Sequence, residues 1–173
     1  MPLSLHAATV PSYLQILRGC VNWLSKAEDW AMESGRSEAD IMAARLAPDM
    51  FQFNRQVRAC AMHSQGAIEG CFKGQFSPDL SPHPESFAGL RERLEEAVAY
   101  LEALDPDEME GLIDKPMRFV FGEANVPWMA DQFLLSFSMP NFYFHTTTAY
   151  AILRSKGMEV GKFDYLAGLR TAK

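Results

Sequence analysis

Asn141 and His145 stand one helical turn apart in Pro140-Asn-Phe-Tyr-Phe-His-Thr-Thr-Thr-Ala-Tyr-Ala-Ile-Leu-Arg154, two polar groups on a segment apolar enough to demand burial. An imidazole inside a helical core is either tied up by hydrogen bonds or kept for a metal ion or a proton. Thr148 adds a hydroxyl close by, but a nucleophile needs a base that is itself oriented, and spacing does not supply that. On an earlier apolar pattern His63 lies near Gln56 and Cys60 at helical spacing, at the flank of the buried stripe. Helical phase turns Asp49, Gln56, His63, Asn141, His145 and Thr148 toward one another, which makes them the candidate pocket residues. Plainer readings stand beside this one. His145 is a hydrogen-bonded core residue, Asn141 caps a helical turn after Pro140, and Asp49 and Asp131 cap helix starts.

The chain has no Gly-rich phosphate loop, HExxH, GxSxG elbow or zinc-ribbon spacing. A formal charge of −6 with sixteen scattered Lys and Arg argues against a nucleic-acid footprint. Cys20, Cys60 and Cys71 are odd in number and fall within apolar helical patterns, so they are expected to be buried, reduced thiols of a cytoplasmic protein. No basic stretch followed by an apolar run opens the sequence, and no run of eighteen apolar residues occurs in it, so neither export nor membrane insertion is expected.

Helices must position these groups. With 173 residues and 48% hydrophobic content, a single domain over 1–173 can bury its own core. The first helix is expected from about Ser4 to Ser34, with Val10, Leu14, Leu17, Val21 and Leu24 on one stripe, Pro11 as a kink or first turn, and Gly35 as the stop. Ser37 caps a short helix to about Leu46. A second long helix is expected from Met50 to Lys73, capped by Asp49 and ended by Gly74, with Phe53, Val57, Cys60, Ala61, Ser64, Ile68 and Cys71 buried. Three prolines in 77–84 dictate an extended surface crossover in which His83 is solvated. A third bundle helix starts near Phe87 and runs to Leu104, its outer face filled by Arg and Glu. Short β-prone runs around Gly-Glu-Ala-Asn at 122–125 predict a small hairpin. From Asp131 to Gly157 the pattern is nearly apolar all round, with a break at Pro140. Such a helix must be covered by the bundle and, in a homodimer, by a second subunit. The tail from Val160 to Leu166 is expected to pack as an irregular arm.

Leu46-Ala-Pro-Asp-Met50, Gln56-Val57, Pro140-Asn-Phe-Tyr-Phe-His145, and Leu153-Arg154 followed by Gly157 resemble an uncharacterised bacterial branch of the DinB/YfiT-like superfamily. The resemblance covers nearly the whole chain. It implies an all-α, up-down-down-up four-helix bundle with a small β-hairpin before the last helix, often dimeric. It also implies a divalent metal such as Ni, Zn or Fe, held by one histidine from the second helix and an i, i+4 pair from the last. Here His145 matches the second member of that pair, Asn141 stands where the first belongs, and His63 is the residue available on the second helix. An asparagine carbonyl is a poor substitute for imidazole, so a third ligand would have to be Asp49 or Asp131. The reading that follows is a polar pocket, metal-free or weakly metal-binding, open to a small-molecule ligand. The alternative is a metal-dependent thiol-transferase-like enzyme acting on a small electrophile, with His63, His145 and a carboxylate around the ion.

Overall fold

Residues 3–172 are described by the computed structural model, which is mostly helical with one small sheet. Helix α1 (Leu5–Glu33) begins where the Ser4 hydroxyl accepts the Ala7 amide at 3.1 Å, and the chain leaves it through Gly35 at φ 64°. Pro11 does not interrupt α1, because the carbonyl deprived of a partner belongs to the exposed Ala7, where water can satisfy it. The short α2 (Glu38–Met42) is capped by Ser37 and ends four residues before Leu46.

The second long helix starts at Phe53 rather than Met50, and Asp49 does not cap it. The Met50 amide closes a turn onto Ala47 O at 3.0 Å, the Phe53 amide reaches back to Ala44 O at 2.8 Å, and Gln52 occupies the cap position without a side-chain bond. This helix consists of α3 (Phe53–Ala61), a π-helical turn (Met62–Gly66) and α4 (Ala67–Lys73), ending at Gly74 with φ 77°. The expected buried stripe is realised from Phe53 to Cys71.

A strand of two residues, β1 (Gln75–Phe76), leads into the crossover, and Ser86 then caps α5 (Phe87–Glu102). After α6 (Pro106–Glu110) come β2 (Pro116–Phe121) and β3 (Ala124–Met129), an antiparallel hairpin pairing Pro116 with Met129 and Phe121 with Ala124. Pro127 is tolerated because β3 is an edge strand. The parallel pairing of β1 with β2, Phe76 opposite Phe119, was not expected from sequence.

The last long helix is α7 (Ala130–Gln132), a second π-helical segment (Phe133–Ser138) and α8 (Met139–Ser155). Pro140 does not break it. The widened π turn just before the proline absorbs the missing amide while the helix continues. The two π segments touch, with the Ser138 hydroxyl donating to His63 O at 2.8 Å.

Helix α1 packs on α5, α5 on α3, α3 on α8, and α8 more lightly on α1. Trp23, Tyr13, Phe53, Phe87, Phe133 and Phe142 fill the centre of one hydrophobic cluster. The last helix is less covered than its composition demands, since Leu135, Tyr143 and Phe144 are exposed. The tail is not an irregular arm but a helical turn, α9 (Lys162–Leu166), lying on α1. Asp164 accepts the Gly161 amide at 2.7 Å, and the backbones approach so closely that a Cβ on Gly19 would sit 2.6 Å from Tyr165 O. Cys20, Cys60 and Cys71 are buried and free.

Candidate functional site

The facing sides of the second and last long helices bring Gln56, His63, Asn141 and His145 together. His145 Nδ1 lies 2.6 Å from Gln56 Oε1, while Gln56 Nε2 donates to Phe51 O at 3.3 Å. Because the amide nitrogen is committed to a carbonyl, the amide oxygen faces the imidazole and can only accept. His145 therefore carries its proton on Nδ1 and keeps an unprotonated Nε2. His63 packs beside it with ring centroids 5.5 Å apart and planes 14° from parallel. Seven residues after the buried Gln56, His63 falls on nearly the same helical face, at the start of the π turn, and is 4% exposed. Its Nδ1 has no hydrogen-bond partner, and Phe76 and Phe137 crowd the ring.

Both imidazoles are neutral at pH 7. Burial, then the charge of Arg55, pushes His145 down to about 4; burial, then His145, pushes His63 down to about 3. Groups so far below neutrality are weak general bases, and suit hydrogen bonding to a ligand better than shuttling protons.

His63, Asn141 and His145 line a cavity of about 540 Å³, while Gln56 holds His145 from behind and does not itself line it. Its apolar lining comes from Met62, Phe76 and Phe137 together with Phe119 and Phe121 of the hairpin, Phe119 packing on both Phe76 and Phe137. The crossover also contributes to the lining, and His83 there is half-buried rather than free in solvent: Arg58, itself buried, lies 2.8 Å from His83 Nδ1, donates to the Ser81 hydroxyl at 2.8 Å, and pairs with Asp79. The Ser81 amide, more than the guanidinium, holds the Asp79 carboxyl down to about 2. Burial and then Arg58 lower the His83 pKa. At the rim the Phe51 ring lies parallel to His145 within 6°, centroids 6.0 Å apart, and the Arg55 guanidinium sits 3.6 Å from the Phe51 centroid.

The remaining expected site residues lie differently. Asn141 borders the cavity, but its amide donates to Phe137 O at 2.7 Å within a continuous helix, so it is neither a cap nor an additional anionic ligand. Thr148 is buried with its hydroxyl on Phe144 O at 2.7 Å, away from the cavity lining. Asp49 is exposed in the turn before α3, and Asp131, at the start of α7, accepts from Gln132 at 2.8 Å without lining the cavity. Among the described residues no three His, Cys, Asp or Glu side chains converge as a metal ion requires. Two imidazoles and an asparagine amide do not make a resident transition-metal site of moderate affinity. The sequence reading also missed Phe51, Arg55, Arg58 and His83. Arg58 offered a signal, a charge between Val57 and the apolar run Ala59-Cys60-Ala61-Met62.

The described residues form a mostly helical fold with one small three-stranded sheet. The chain belongs to the family described as a domain of unknown function, DUF1993, whose profile matches residues 5–166. It is similar to the crystal structure of a DinB family member protein from Shewanella denitrificans, with a TM-score of 0.80 and 26% identity over 98% of this chain and 95% of that one. The fold is thus DinB-like. No protein of curated function matches the chain. No described helix is long and apolar enough to cross a membrane.

Proposed function

We propose that this DinB-like protein binds a small organic molecule in the cavity between its second and last long helices, and that it does so without a resident metal or with a weakly held one. The observation that carries the reading is the pair of neutral imidazoles in a cavity of about 540 Å³, one ring fixed in a single tautomer by Gln56 and the other left with an unpartnered buried nitrogen. The size and mostly apolar walls suit a compact ligand with few polar groups.

Supporting the same reading, we infer a single domain over 1–173 in which the four long helical segments form an up-down-down-up bundle. The ring of contacts α1–α5–α3–α8–α1, with a long extended crossover before α5, favours this order. Leu135, Tyr143 and Phe144, exposed on one helix, favour a homodimer. The free thiols suit a cytoplasmic location.

A thermal-shift screen of untagged protein against a small-organic library, with and without chelator and alongside elemental analysis, tests the proposal. Stabilisation by a compound, unchanged by chelator, is the expected result. Near-stoichiometric transition metal, with ligand shifts abolished by chelator, would overturn it in favour of metal-dependent chemistry.

A further inference from the structure

We infer that the ligand of this cavity is an organic anion with an apolar, aromatic-sized body, and that Arg55 selects it by its charge; this rests on the small-molecule reading above. The chain as a whole is acidic, at −6, yet the cavity is not. Its charged lining residues are Arg55, Arg58 and Asp79, and Asp79 is committed to Arg58. His63, His83 and His145 all have lowered pKa values, so they add no charge at neutral pH. One uncompensated cation is left, on Arg55.

Three features tie that charge to the cavity rather than to the general surface. The Arg55 guanidinium lies 3.6 Å from the centroid of Phe51, and Phe51 in turn lies parallel to His145, so the cation stands at the end of a column of rings leading inward. Its charge helps to lower the pKa of both His145 and His83, which line the same cavity. Among the described residues it makes no ion pair, unlike Arg18, Arg58, Arg91 and Arg93. Deeper in, the His63 ring, 4% exposed, lines the cavity beside Phe76 and Phe137, an apolar aromatic floor for the body of the ligand. Arg55 is exposed at the mouth, so solvent screens part of its charge, and the ring-lined cavity beside it strengthens what remains relative to open water.

Anilinonaphthalene sulfonate and its uncharged counterpart N-phenylnaphthylamine, which lacks only the sulfonate, separate charge from apolar fit. Fluorescence titrations of both are run on the wild type, on Arg55→Gln, on Arg55→Lys, and on Arg36→Gln, a control cation lying over Trp30 away from the cavity. The expected result is saturable sulfonate binding about tenfold tighter than that of the neutral compound, as one charge-assisted contact gives. Arg55→Gln then brings the sulfonate down to the level of the neutral compound, Arg55→Lys restores most of the difference, and Arg36→Gln changes nothing. Equal binding of both compounds, or a sulfonate preference that survives Arg55→Gln, would overturn the anion assignment and leave the small-molecule reading standing. Saturable binding of neither compound, together with an empty library screen, would remove both.

Discussion

Replacing His63 with Phe should flatten the acid sensitivity of the protein. The native pKa values of His63 and His145, about 3 and about 4, lie below the ordinary histidine value of 6.5, so the unfolded chain takes up protons that the folded chain refuses. The contribution of such a group to stability is complete above pH 6.5 and is lost as pH falls toward the native pKa. Between pH 7 and pH 5 each histidine costs about 1.9 kcal/mol, or about 4 kcal/mol for the pair, a large share of the 5–15 kcal/mol of an ordinary domain. His63→Phe removes one of the two contributions. It also replaces an imidazole bearing an unpartnered nitrogen with a ring compatible with Phe76 and Phe137, so at neutral pH no loss of stability is expected. Urea unfolding followed by tryptophan fluorescence, at several pH values, measures both slopes. The wild type should lose about 2 kcal/mol more than the variant over those two pH units. Parallel pH profiles would refute the reasoning, because His63 would then be protonating at an ordinary pKa and could not be the buried neutral ring described here.

Gln56→Glu places a carboxylate against His145 Nδ1 in place of the amide oxygen 2.6 Å away, and should raise the His145 pKa well above 4, which a proton NMR titration of the imidazole detects. Gly19→Ala drives a methyl group to 2.6 Å from Tyr165 O, so α9 must shift off α1; a loss of about 1–3 kcal/mol and faster hydrogen exchange over 162–166 are expected. Arg58→Met removes the guanidinium that gathers Asp79, Ser81 and His83, and should open the crossover to limited proteolysis at 77–84 while the helical circular dichroism is kept.

The helices were legible because their apolar stripes repeat at helical spacing, and Ser4, Ser37, Gly35 and Gly74 punctuate them by side-chain capping or positive φ. The hairpin was legible from turn residues between β-prone runs. What escaped the sequence has physical causes. The two π segments leave no compositional mark, yet one begins at Met62 beside His63 and the other leads straight into the helix that carries Pro140. The strand β1 spans two residues and forms only because β2 offers its edge, a contact no local pattern announces. Asp49 looked like a cap because it precedes an apolar run, but it lies inside a turn closed over 47–50, and Phe51 follows that turn at the cavity rim. The proximity of Gln56 to His145 followed from helical phase; the role of Arg58 as an anchor for the crossover needed the tertiary structure.

The most direct measurement is a long-range proton–nitrogen NMR correlation of the imidazoles, recorded with and without a saturating compound from the thermal-shift screen. Both His63 and His145 should remain neutral from pH 5 to pH 8, as native pKa values of about 3 and about 4 require, with His145 protonated on Nδ1 and the nitrogens of both rings shifting when the compound binds. Titration of either ring near pH 6.5, or imidazole signals that do not move at saturation, would contradict a ligand cavity built on two buried neutral histidines.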